Sequence, residues 1–154
     1  MNKEIQTVKI GLFLVMLTLV FGIAEDAVKS YISEGVAAHV ELHDDKSNSK
    51  IWRYAQRAHF HATGIAAFSI GLVILIMFSS LQKKLKTISA ILIGLGGLYP
   101  LSWFSLFILA PSIGRTAAHH HFITATLTYI GVAGLFLGIF ILSANLFFDK
   151  FQET

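Results

Sequence analysis

Apolar positions gather in four long runs, residues 8–24, 58–80, 87–110 and 117–148. A helix crossing about 30 Å of hydrocarbon needs about 20 residues, so each run predicts one transmembrane helix. Helices also satisfy their own backbone groups in lipid, which isolated strands cannot do. Barrel strands would be about half as long. The fourth run exceeds the requirement and is expected to tilt or to project from the membrane.

The polar connections set the order of these helices. Segments 81–86 and 111–116 are short, so the helices they join should run antiparallel. Between the first two runs lies a polar stretch, 25–57. In it Val28, Ile32, Val36 and Val40 recur at near-helical spacing and predict an amphipathic helix lying along the interface. Residues 44–50 read as its loop, and Trp52 and Tyr54 then fall where interfacial aromatics belong. The expected fold is an all-α, integral membrane, four-helix up-down bundle forming a single domain over 1–154, with that interfacial helix between spans 1 and 2.

Composition agrees with this class. Of 154 residues, 55% are hydrophobic and 14% charged, against about 45–50% and about 25% in soluble domains. The absence of cysteine excludes disulfides, thiolate metal sites, iron–sulfur clusters and covalently attached haem. Any metal centre must therefore use nitrogen and oxygen donors. The formal charge of +3 is dispersed and gives no case for nucleic acid. At the N-terminus, Gly22-Ile23-Ala24 runs straight into Glu25-Asp26 without a cleavage site, which reads as a retained span.

In the bundle topology, one side carries Lys3, Lys9, Lys83, Lys84, Lys86 and Lys150. The other carries Lys29, Lys46, Lys50, Arg53, Arg57 and Arg115. Three lysines in one short turn favour cytoplasmic termini. Every histidine then falls on the opposite face, together with Glu25 and Asp26.

Two clusters on that face open apolar runs: Ala58-His59-Phe60-His61 and Ala118-His119-His120-His121. They align at an offset of sixty residues, as a duplicated helical hairpin would. In an up-down bundle, spans 2 and 4 are diagonal. Helical residues two apart project about 200° from each other, so only one histidine of each His-x-His can point inward. Small residues mark the packed side of a membrane helix. They select the face His61, Gly64, Phe68, Gly71, Leu75, Phe78 and the face His121, Thr124, Thr128, Gly131, Leu135, Gly138. Gly134 and Gly138 add a GxxxG. On the first span Gly11, Val15, Thr18, Gly22 and Glu25 share a face, and Tyr99, Ser102 and Trp103 occupy the matching half of the third. His39 and His43, on the polar loop, are expected to be solvated.

The first functional expectation is a haem b held by His61 and His121 and used for electron transfer. Gly64 and Gly71 would lie against the macrocycle, and Arg57, with Arg53 or Arg115, would pair its propionates. In architecture alone this is similar to small four-helix membrane cytochromes; no signature motif of a named family is matched. The alternative is a copper, iron or zinc oxidoreductase or metalloprotein using His59, His61, His119, His120, His121 and Glu25. A third reading is an accessory subunit or a proton or ion transporter without metal, although the inner halves of the spans offer only Ser69, Ser143 and Asn145. The expected partners are the lipid bilayer, a quinone or a redox partner protein, and further copies or a larger membrane complex.

Overall fold

The computed structural model describes the backbone of residues 3–39 and 45–152 and the side chains of 3–24 and 50–152. Six helices follow one another: α1 (Lys3–His39), α2 (Asp45–Phe78), α3 (Lys83–Leu95), α4 (Leu98–Ile113), α5 (Arg115–His120) and α6 (Phe122–Phe148). Four stretches, Lys3–Ala24, Lys50–Phe78, Lys83–Ile113 and Phe122–Phe148, are long and apolar enough to cross a membrane. The described chain is thus all-helical, apart from an isolated bridge between Leu81 and Gln152.

Three boundaries differ from those expected. First, α1 runs unbroken from the span to His39, so Val28, Ile32 and Val36 belong to the same helix as the span, and no separate interfacial helix begins after it. No glycine or proline stands between Gly22 and Gly35 to stop it; Val40 and His43 lie outside the described residues. Second, α2 already starts at Asp45, where a loop was expected. Third, the third and fourth runs are each broken.

The third run breaks at Gly96-Gly97. Pro100 has no N–H to offer the carbonyl of Gly96, and Tyr99 N donates to it at 3.1 Å in a tighter turn. The fourth run breaks at His121, which is extended (φ −63°, ψ 137°) and separates α5 from α6. Its Nδ1 accepts from the backbone N–H of Ile123 at 3.4 Å, so the imidazole caps the long helix.

The packing follows small residues. Along α1, Gly11 meets Ala90, Leu14 meets Gly94 and Thr18 meets Gly97, so α1 and the third span ascend together. Gly22 meets Ala62 and Thr63 of α2. On the other side of the third span, Gly131, Gly134 and Gly138 of α6 abut Tyr99, Leu92 and Ile93 in turn, so α6 runs against it. Nothing but hydrogen could stand at Gly138, where a Cβ would come within 2.7 Å of Ile93. Ser89 Oγ donates to the Gly138 carbonyl (2.8 Å) and Thr87 Oγ1 to that of Thr7 (2.9 Å), stitching α3 to α6 and to α1. Each such bond is worth about 0.6 kcal/mol in lipid.

The third span therefore stands in the middle. It touches α1, α2 and α6, whereas α2 and α6 do not pack on each other to any extent. The inward face of α2 is the alanine row Ala55, Ala58, Ala62, Ala66, continued by Ser69, Val73 and Ile76.

Candidate functional site

One end of the molecule collects aromatic, imidazole and guanidinium groups, and three elements bring them there. The first two turns of the span in α2 carry Lys50, Arg53, Tyr54 and Arg57, three and four residues apart and so on neighbouring faces. From α4 come Tyr99, Ser102 and Trp103. The short α5, set off by Gly114 (φ 82°) and by His121, presents Arg115 and His119.

Trp103 is the centre of the group. His61 stacks on its indole (5.9 Å between centroids, 18° between planes) and meets Tyr99 edge-on at 5.0 Å. Arg57 lies over the same indole with Cζ 4.8 Å from the ring centroid, a cation–π contact. Tyr54 is tilted against it at 6.0 Å. The indole N–H itself is buried and has no acceptor among the described residues.

Tyr54 links the cluster to α5. Arg115 Nε donates to the phenol oxygen at 3.2 Å, and the phenol and His119 Nε2 are 3.2 Å apart. Burial, then the nearby Arg115, His120 and Arg57, hold the His119 pKa below its ordinary value of 6.5, and the tautomer of the neutral ring sets which of the two groups donates in this last bond.

Two cavities meet at His119. One, of about 300 Å³, is a slot between α4 and α6. Tyr99, Ser102 and Trp103 form one wall and Thr124, Ala125 and Thr128 the other, with His119 and His120 at its mouth. Ser105 Oγ, 2.9 Å from Thr124 Oγ1, ties the two walls together. The second is a cleft of about 240 Å³ lined by Lys50, Arg53, Tyr54, Arg57, Arg115 and His119. The carboxylates with described side chains, Glu4 and Asp149, are elsewhere: Glu4 bonds Lys86, and Asp149 bonds Gln152.

This geometry overturns the expected cofactors. Among the described residues, no group of three or more histidine or acidic side chains is placed to hold a metal ion. The copper, iron or zinc centre is corrected on that ground, and haem b with it. The imidazoles are spent on separate tasks: His61 on Trp103 and Tyr99, His59 Nδ1 on the Gly22 carbonyl at 2.9 Å, His119 on Tyr54, and His121 on capping α6. The wall of Tyr99 and Trp103 belongs to the intervening third span, where the expected bundle had an open centre.

The other singled-out residues are placed as follows. Gly64 and Gly71 lie on the outward face of α2, with open space where a side chain would be. Arg57 is in the cluster, and His120 is exposed at the slot mouth. The backbone of Glu25 lies in α1; its side chain and that of His39 are outside the described set. Tyr54 is buried, 3% exposed, where an interfacial aromatic was expected, and it joins the two elements of the site. One signal in the chain points to the cleft: residues 46–148 contain no aspartate or glutamate, so cations there have no neighbour in sequence to neutralise them.

Comparison with protein-family models, curated proteins and solved structures finds no match to this chain.

Proposed function

We propose that this chain is a multi-pass membrane protein that binds an amphipathic ligand in the slot between α4 and α6, as an accessory or carrier component without a metal centre. In this reading the four spans form an up-down bundle with cytoplasmic termini, and the slot opens near the opposite membrane surface. The short turn with Lys83 and Lys84 supports that orientation.

The observation that carries the reading is the Trp103 N–H, buried and without an acceptor beside a cavity rimmed by hydroxyls and imidazoles. An unsatisfied buried donor costs about 1–3 kcal/mol, and a ligand carbonyl or ester oxygen that reached it through a small movement of the slot wall would recover it. Ser102, Thr124 and Thr128 offer further hydroxyls, while Leu106 and Ala125 suit an apolar body. A quinone head and a lipid ester both have this chemistry.

The test is extraction of the protein in native-membrane nanodiscs, followed by mass spectrometry of what co-purifies. A near-stoichiometric quinone or lipid species, enriched over the surrounding membrane and lost in Ala125→Phe, is the expected result. The same lipid profile in both proteins would refute the reading.

A further inference from the structure

The cleft beside the slot holds a different chemistry. Lys50, Arg53, Arg57 and Arg115 converge on one cavity from α2 and α5, and no ion pair joins any of them to a carboxylate among the described residues. Like charges held together repel, and a surface cation ordinarily relieves this by pairing or by turning into water. Here two of them are tied down. Arg57 is held over the Trp103 ring, and Arg115 is held by the Tyr54 phenol through Nε. That bond leaves the outer nitrogens of the Arg115 guanidinium for another acceptor.

We infer that this cleft is a binding site for a phosphate monoester. A carboxylate would balance one of the four formal charges, whereas a phosphate monoester carries about two and offers three acceptor oxygens. Guanidinium forks match that arrangement, and Lys50 adds a point charge. The inference deepens the proposed function, since a ligand with its body in the slot would set its head here, His119 lying at both cavities. The cleft stands without that reading, because none of its four cations lines the slot.

The phosphate could arrive on a lipid or on a water-soluble molecule, and the test separates the two. The full-length protein is placed in nanodiscs of phosphatidylcholine and titrated with inorganic phosphate. In parallel, discs with increasing phosphatidic acid are compared. The readout is tryptophan emission, which reports on Arg57 leaving or tightening over Trp103; Trp52 is the other tryptophan. A saturable change is expected, with affinity about tenfold weaker in Arg115→Gln and in Arg57→Gln. Lys83→Gln with Lys84→Gln, at the other end, should leave it unchanged. Response to inorganic phosphate alone assigns a soluble ligand, and response to phosphatidic acid alone assigns a lipid head. Arg115 is exposed, so its variant is expected to fold even where the Arg57 variant does not. No saturable response to either probe, or equal affinity in the Arg115 variant, overturns the assignment. Ala125→Phe separates this from the slot reading, as it should abolish ligand retention there and spare the response to inorganic phosphate.

Discussion

The two ends of the molecule treat positive charge in opposite ways. At the end bearing the termini, Lys86 is buried, but its ammonium meets Glu4 Oε2 at 3.0 Å and the Met77 carbonyl at 3.0 Å. The charge is neutralised from within the fold. At the other end, four cations line a cavity, and among the described residues Arg115 finds a phenol and Arg57 an indole face, with no carboxylate paired to any of the four. An interior cation with its own carboxylate is a structural device. A ring of cations without one suits the external anion proposed above.

Changes at the unpaired end should give the largest effects on binding. Removing Arg57 and Arg115 together is expected to weaken phosphate-type binding about 100-fold, since each charge-assisted contact is worth about 1.5–3 kcal/mol. Titration of the double Gln variant checks this, and a loss no greater than in either single variant would mean that only one arginine reaches the ligand. At the paired end the effect should appear in stability and not in binding. Glu4→Gln leaves Lys86 with the Met77 carbonyl alone; because Glu4 is about half exposed, the cost should be about 1 kcal/mol. Unfolding in mixed micelles measures it, and unchanged phosphate affinity in the same variant keeps the two ends distinct.

Acid should sharpen the contrast further. The His119 pKa is held below 6.5 by burial and by Arg115, His120 and Arg57. Without ligand, its contribution to stability is therefore complete above 6.5 and declines as pH falls below it, because the unfolded chain takes up the proton first. A bound dianion offsets the arginines and raises the proton affinity. Sulfate, which stays a dianion, should then bind several-fold more tightly at pH 5.5 than at pH 7.5. Calorimetry in two buffers would show the proton uptake, and His119→Gln should remove it. The smallest effect is expected at Ser69, buried with no partner for its hydroxyl among the described residues. Ser69→Ala should raise stability by up to about 1 kcal/mol and leave binding untouched.

The spans could be read from the chain, because length and apolarity alone decide whether a helix can cross a membrane. The packed face of α6 could also be read: Thr124, Gly131 and Gly138 are buried as their small size implied. The same reasoning misplaced α2. Gly64 and Gly71 face outward, and the interior is given to Ala58, Ala62 and Ala66. Alanine is small enough for close approach and favours the helix more than glycine does, so a row of four alanines outweighed two glycines. The shared Ala-His-x-His was equally deceptive. In α2 it lies within a continuous helix, whereas in the second copy the chain breaks at His121. Matching letters therefore do not place matching side chains. What no pattern in the spans revealed was the middle position of the third one, which depends on contacts between distant segments. The break in it was not among the expectations, although Gly96-Gly97 ahead of Pro100 carries the signal for it.

That break has a consequence for the cleft and slot alike. At Gly97 the hydroxyl of Thr18 lies where a Cβ would have to be, so α1 is seated directly on the backbone six residues below Trp103. A single methyl group introduced there would act as a wedge. It would push the start of α4 away from Thr18 and shift the indole that walls the slot and carries Arg57 of the cleft, so the geometry of the far rim is set by an atom the chain does not have.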